Sequence, residues 1–398
     1  MNKGIAITGM GIISAIGDSV EANFLALSKG HTAITTIANI TTVHKDVMKV
    51  GEIKQTNLQL AAALGLSDDN NFSRTAVIGA FAAKQAVKSA GINAINEYKT
   101  GLISATSVSG MDTTEKHYYE YFDNPNLVKY ISANGAGDVS QKIADELGLV
   151  GLVTTISTAC SSAANAIMLG ARLIKSGKLD RVIVGGTDAL AKFTINGFKT
   201  LMILSDDYNT PFDNDRKGLN LGEAAAFLVL ESDELVHKHN KTVLARISGY
   251  GNANDAFHQT ASSENGDGAT LAMNKAFEIA GLKPEQIDYI NVHGTATPNN
   301  DLSEGRAIIR VFGENVPDFS STKPFTGHTL AAAAAIEAVY SVLAIQHNVV
   351  FPNMNFNTPM AEFNLRPQTS LKHKKIEHVL SNSFGFGGNC STLIFSKN

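Results

Sequence analysis

The feature that most restricts what this 398-residue chain can fold into is a pair of motifs that occurs twice in the same order. Ile7-Thr8-Gly9-Met10-Gly11 reappears as Ile247-Ser248-Gly249-Tyr250-Gly251, each an apolar strand that runs into a glycine turn. Thr154-Thr155-Ile156-Ser157-Thr158-Ala159-Cys160 is a β-branched run that stops at a small-residue corner, followed by a helix-forming run to Lys175. Ser320-Ser321-Thr322-Lys323-Pro324-Phe325-Thr326-Gly327-His328 leads in the same way into a helix over 329–345. Solenoid repeats have far shorter periods, about 20–50 residues, so the echoes predict one duplicated βα unit. The charged segment Glu231–Lys241 is the expected boundary, giving halves 1–240 and 241–398. Strands alternating with helices place the chain among α/β proteins, with a mostly parallel, covered sheet in each half.

Composition narrows the function classes. Hydrophobic residues make up 44% and charged residues 18%, which is ordinary for a compact globular chain. A formal net charge of −4 gives no basic field for nucleic acid, so an acidic partner must be met by a local patch. Two cysteines, Cys160 and Cys390, make no disulfide framework and predict a reduced, cytoplasmic setting. Gly4, Gly9 and Gly11 interrupt the apolar N-terminus, which reads as a buried strand rather than a signal peptide. No stretch is expected to span a membrane. His237 and His239 alternate on a charged segment, and no metal-ligand spacing is found.

Along the chain, Val20–Leu27 and Ser73–Gly91 read as helices, the second with Gly91 as its C-terminal cap. Leu102–Thr106 reads as a strand, and Tyr118, Tyr119, Tyr121 and Phe122 as an aromatic cluster packed on a helix. Gly9-x-Gly11 lacks the third glycine and the acidic residue of a dinucleotide-binding turn, so a tight turn is the better reading.

Four places carry chemistry. A thiol at the first turn of a helix, as Cys160 is expected to be, feels the positive end of the helix dipole, which favours the reactive thiolate. His293 ends a strand in Tyr289-Ile290-Asn291-Val292-His293-Gly294-Thr295. His328 stands five residues after Lys323, just before a helix. Ser383-Phe384-Gly385-Phe386-Gly387-Gly388-Asn389 forms a glycine-rich turn between two strands.

These blocks, in this order and over essentially the whole chain, resemble the elongating β-ketoacyl-acyl-carrier-protein synthases of the thiolase superfamily. Gly185-Gly186-Thr187-Asp188-Ala189, Pro211-Phe212-Asp213, Gly222-Glu223 and Ser263-Glu264-Asn265-Gly266 extend the match. The resemblance implies a five-layer α-β-α-β-α sandwich and a decarboxylating Claisen condensation that needs no cofactor and no metal. In it Cys160 is the acyl-carrying nucleophile, and His293 and His328 bind the malonyl thioester and promote its decarboxylation. Lys323, with Glu337, fixes charge and orientation around His328. The backbone N–H groups of Cys160 and Phe386 form the oxyanion hole, and Phe386 gates an acyl pocket reached by Val108 and Met111. Asp301 and Glu304 are structural. The implied partners are acyl- and malonyl-loaded carrier protein and a second subunit, either a copy of this chain or a ketosynthase-like paralogue.

Several positions depart from the family's pattern. Asn389-Cys390-Ser391 replaces Thr-Asn-Gly in the Phe386 turn, and Ala331 and Ala334 stand where glycines are common after the histidine. Met202 occupies a position where relatives often carry an arginine, leaving Arg74, Lys199 and Lys217 as candidate carrier-docking cations. The alternatives are a partner subunit without catalytic function and a CoA-dependent thiolase using Cys390 as base. Retention of Cys160, His293, His328 and Lys323 argues against both.

Overall fold

The computed structural model describes residues 4–67 and 69–398. Ten strands form the main sheet: β1 (Ile5–Ser14), β2 (Thr100–Ala105), β3 (Leu152–Ile156), β4 (Arg181–Asp188), β5 (Ala224–Glu231), β6 (Ala245–Asn254), β7 (Tyr289–Asn291), β8 (Asp318–Ser320), β9 (His378–Gly385) and β10 (Asn389–Ser396). Their spatial order is β8-β7-β9-β10-β6-β1-β5-β4-β2-β3. Read outward from the centre, the two sides match strand for strand. β2 runs parallel to β3 and β4, and β5 antiparallel to β4 and β1. Likewise β7 runs parallel to β8 and β9, and β10 antiparallel to β9 and β6. The sides join where Ile5–Ile7 pairs with Ala245–Ile247. Each five-stranded side is therefore mixed, with one strand running against its neighbours.

Helices α1 (Arg74–Ser89), α2 (Ser162–Lys175), α3 (Asp267–Ala280), α4 (Pro298–Phe312) and α5 (Ala333–His347) cover these sheets. α1 lies on β1, β4 and β5, and α3 on β6 and β10, as outer layers. α2 and α5 fill the space between the two sides, α2 against β4 and α5 against both β5 and β9. This is the five-layer α-β-α-β-α sandwich, and the central layer explains α5's composition. Every residue from Ala333 to Ile345 is buried. Ile336, Leu343 and Ile345 each contribute about 1.5–3 kcal/mol by leaving water. Leu330–His347 is long and apolar enough to cross a membrane, contrary to the expectation of no such stretch. It is the almost fully buried core helix.

The repeated Gly-x-Gly motifs are not turns. β1 continues through Gly9 and Gly11, and β6 through Gly249 and Gly251. A Cβ on Gly11 would lie 2.2 Å from Ala82 O of α1, and one on Gly251 would lie 2.0 Å from Ala272 O of α3. The glycines let an alanine-rich helix lie directly on the strand backbone, once in each half.

The aromatic cluster also differs from expectation. Tyr119 and Phe122 are 83% and 63% exposed beyond the short helix Met111–His117; within the cluster Tyr119 meets Tyr118, and Phe122 meets Tyr118 and Tyr121. Arg74 is not free either: its guanidinium pairs with buried Glu223 at 2.6 Å, which also accepts from Ile53 N and Leu190 N.

Candidate active site

The corner after β3 is tightly built. Thr158 N donates to Ser162 Oγ at 2.8 Å, and Ala159 adopts φ +52°, a left-handed conformation that a non-glycine residue rarely takes. This turn sets Cys160 immediately before α2, with Ser161 at the N-cap. Its sulfur is buried, with only 5% of the residue exposed. Burial pushes the thiol up to about 12, against the opposing pull of the Lys323 charge. Cys160 is therefore held as a thiol rather than the thiolate expected from the helix dipole alone. His328 Nε2 lies 3.0 Å from Sγ and is placed to take the proton when the sulfur attacks.

His328 is fixed through its backbone, His328 N donating to Asn220 O at 2.7 Å and Gly222 N donating to His328 O at 2.9 Å. His293 sits at the end of β7, where buried Glu304 accepts from His293 N at 2.9 Å and Gly294 N at 2.8 Å. Burial pushes that carboxyl up to about 7 despite these bonds. Asp301 at the first turn of α4 accepts from Phe212 N and Ala296 N, which makes it a loop anchor. The two imidazole rings stand 5.4 Å apart, nearly perpendicular. Burial first, and then the charge of Lys323, holds both well below the ordinary histidine value, so both are neutral.

Lys323 serves a different histidine from the one expected. Its Nζ donates to His293 O at 2.5 Å and to Glu337 Oε1 at 2.6 Å, and lies 3.4 Å from His293 Nδ1. An ammonium can only donate, so Nδ1 accepts and the ring proton of His293 sits on Nε2. Glu337 reaches this point from the central helix α5, buried on all sides.

Gly385 ends β9 so close to the corner that a Cβ there would meet Thr158 O at 2.7 Å and Cys160 N at 3.2 Å. This contact brings the Phe386 turn against Cys160. The Phe386 ring stacks 5.9 Å from Phe198. A cavity of about 340 Å³ opens here, lined by Cys160, His293, His328, Phe386 and Phe198 among others. Val108 packs with Phe198 and Leu219 in the apolar cluster behind its wall, while neither Val108 nor Met111 lines it. Cys390 faces the other way, packed with Phe384 and Met273 beneath α3, and is not positioned as a base for Cys160.

Asp188 has a role that its motif alone did not reveal. It accepts from Thr106 Oγ1, Ser107 N and Oγ, Val108 N and Ala331 N, binding the loop after β2 to the chain following His328. Among the described residues, no three His, Cys, Asp or Glu side chains converge as a metal site.

The N-terminal domain of the β-ketoacyl synthases matches residues 2–235, and the C-terminal domain matches residues 244–357. The chain belongs to the β-ketoacyl synthase family. It is 34% identical to 3-oxoacyl-[acyl-carrier-protein] synthase 2 of Staphylococcus aureus, over 100% of this chain and 99% of that protein. The enzyme of the same name from Coxiella burnetii is also 34% identical, over 99% and 98% of the two chains. Among solved structures, the ishigamide ketosynthase/chain length factor matches with a TM-score of 0.94 and 29% identity, covering both chains completely. The ketosynthase ApeO in complex with its chain length factor ApeC, from Xenorhabdus doucetiae, matches at 0.86 and 32%, over 100% and 98%. This β-ketoacyl synthase family member is an acyltransferase-type condensing enzyme.

Proposed function

We propose that the chain transfers an acyl group from carrier protein to Cys160 and condenses it with malonyl-acyl-carrier protein, releasing CO₂ and 3-oxoacyl-carrier protein. The observation that carries this reading is the convergence of Cys160, His328 and His293 on one cavity, with both imidazoles neutral. In the first half-reaction His328 Nε2 takes the Cys160 proton as sulfur attacks the acyl thioester, and the carrier thiol leaves. In the second, with the first proton gone on the departing carrier thiol, His328 acts as its other neutral tautomer, and its Nε2–H joins the Nε2–H of His293 in donating to the malonyl thioester oxygen. The carbon–carboxylate bond breaks, CO₂ departs, and its electrons form an enolate held by those two donors. Neutral imidazoles suit this task, because as weak acids they hydrogen-bond the enolate oxygen without protonating it and quenching the nucleophile. The enolate carbon attacks the acyl-Cys160 carbonyl. The resulting oxyanion points to the N–H groups of Cys160 and Phe386, and collapse expels the Cys160 thiolate.

We read the polypeptide as two functional halves, 1–240 with the nucleophile and 241–398 with the histidines and the Phe386 turn. Lys199, beside the exposed Met202 of the cavity wall, and the exposed Lys217 serve as docking cations for an acidic carrier protein; Arg74 is committed to Glu223. β3 ends the sheet as an edge strand, with Val150 and Leu152 exposed and Tyr119 and Phe122 also uncovered. These surfaces support assembly with a second subunit, a copy of this chain or a ketosynthase-like paralogue. The setting is the cytoplasm, and the product serves fatty-acid or polyene/polyketide-type elongation. The test is intact-mass measurement after incubation with a panel of acyl carrier thioesters. A single acyl adduct lost in Cys160→Ala supports the assignment, and an adduct that persists in that variant overturns it.

A further inference from the structure

The turn that carries Phe386 is held from two sides. On one, Asp255 N donates to Gly388 O at 2.8 Å, Gly387 N to Gln259 O at 2.7 Å and Asn254 Nδ2 to Gly387 O at 3.1 Å. On the other, the Asn389 side chain is the hub of the attachment. Asn389 Oδ1 accepts from Asn165 Nδ2 of α2 and from Asn252 Nδ2 of β6, each at 2.9 Å. Ser161 Oγ lies 2.7 Å from the same oxygen and 2.7 Å from Thr158 O, so its one proton is divided between the turn and the nucleophile corner. Asn165 Nδ2 also donates to Thr158 Oγ1 at 2.8 Å, and Ser391 Oγ joins the cluster at 3.2 Å from Asn165 Oδ1. One amide oxygen thus ties the residue after Gly388 to Ser161 beside Cys160, to Asn165 of α2 and to Asn252 of β6.

This attachment matters because of the cavity's size. At about 340 Å³ it stands near the lower end of ligand pockets, which run from about 300 to 1,000 Å³. A long acyl chain on Cys160 needs the Phe386–Phe198 wall displaced. Gly387 and Gly388 both have positive φ, at +82° and +80°, so the segment beside Phe386 has backbone freedom to move once it is released. The same Phe386 must return for its N–H to meet the condensation oxyanion.

We propose that Asn389 is a positioning residue whose amide latches the Phe386 turn to the Cys160 corner and so sets the balance between acyl entry and condensation. The proposal rests on the reading of Cys160 as acyl carrier. With the latch made, the turn is seated for condensation; with it broken, the wall opens to long chains and the oxyanion hole is loosened. Substitution of Asn389 acts through Phe386 and not through contact with substrate.

The experiment compares wild type with Asn389→Ala, Asn389→Asp and Asn252→Ala. Quenched-flow mass spectrometry follows Cys160 acylation by dodecanoyl and butyryl carrier thioesters, and a separate assay follows condensation of each acyl-enzyme with malonyl carrier protein. In Asn389→Ala the dodecanoyl-to-butyryl acylation ratio rises, while condensation slows by roughly a hundredfold through a misplaced turn. Asn389→Asp keeps an acceptor oxygen for the same donors and restores both quantities toward wild type. Asn252→Ala removes one donor from the opposite strand and shifts both in the direction of Asn389→Ala, to a smaller extent, which keeps the test available if Asn389→Ala does not fold. An unchanged acylation ratio, an equal fall of both half-reactions, or failure of Asn389→Asp to recover them overturns the latch. Absence of any acyl adduct on wild-type Cys160 overturns the underlying function instead.

Discussion

Replacing Lys323 by methionine separates the stability of the buried ion pair from its catalytic use. The Lys323 and Glu337 side chains are only 2% and 1% exposed, with Nζ 2.6 Å from Oε1. Removing the cation alone strands a carboxylate in the central layer, and breaking a buried pair in this way costs about 3–5 kcal/mol. Replacing both partners, as Lys323→Met/Glu337→Leu, removes the unpaired charge and restores stability to within about 1–2 kcal/mol of wild type. The loss in the single variant depends on pH. Burial already raises Glu337 above its ordinary 4.5, and without the lysine it rises further. The folded variant then binds a proton more tightly than the unfolded chain, so its deficit is smallest in acid and grows as pH rises through the new folded value. Urea midpoints from pH 5 to 8 measure this. Decarboxylation of malonyl carrier thioester behaves differently. His293 loses the donor that keeps its proton on Nε2 in both variants, so both lose activity by roughly a hundredfold. A double variant as unstable as the single one, or one that regains decarboxylation, would refute the reasoning.

Cys160→Ala abolishes condensation yet leaves malonyl decarboxylation measurable, because the two histidines do not need the sulfur to hold the enolate; CO₂ release and 3-oxoacyl product are assayed side by side. His293→Ala and His328→Ala each slow CO₂ release by roughly 10²–10³-fold, the usual cost of one lost oxyanion donor. Both histidines are held neutral below their ordinary 6.5, so as pH falls beneath that value the unfolded chain takes up protons first and stability declines. A His293→Gln/His328→Gln variant flattens this acid limb in urea titrations, and an unchanged slope contradicts the neutral assignment. Gly385→Ala sets a methyl against Thr158 O and costs about 1–3 kcal/mol by overpacking, read as a lower denaturation midpoint.

Much of the frame was legible because it is local. Apolar periodicity placed the helix beginning after Ser73, and a β-branched run ending in small residues placed the corner at Cys160. What escaped depends on contacts between distant segments. Gly9 and Gly11 read as a turn because nothing nearby in sequence reveals that α1 lies on that backbone. Lys323 stands five residues from His328 but bonds His293, thirty residues away, since β7 and β8 are neighbours in space. The helix dipole predicted a thiolate at Cys160, and burial, invisible in a list of residue types, outweighs it. Exposure of Tyr119 and Phe122 was equally hidden, because an aromatic run looks the same whether its partner lies in the same chain or outside it.

The mirrored order of the sheets bears on how such proteins diverge. β3 and β8 occupy equivalent places, and the corners that follow them hold Cys160 in one half and Lys323 and His328 in the other. β2 and β7 likewise lead to Ser107 in one half and His293 in the other. A doubled scaffold supplies each corner twice while the reaction claims only some of them, so the remaining ones are free for anchoring, as Ser107 shows by binding Asp188. Reactive groups can then be gained or erased at single corners without disturbing the layers beneath. That makes a descendant with the same outline and a silent nucleophile a short mutational step away, and gives gene duplication a ready route to unequal pairs of subunits.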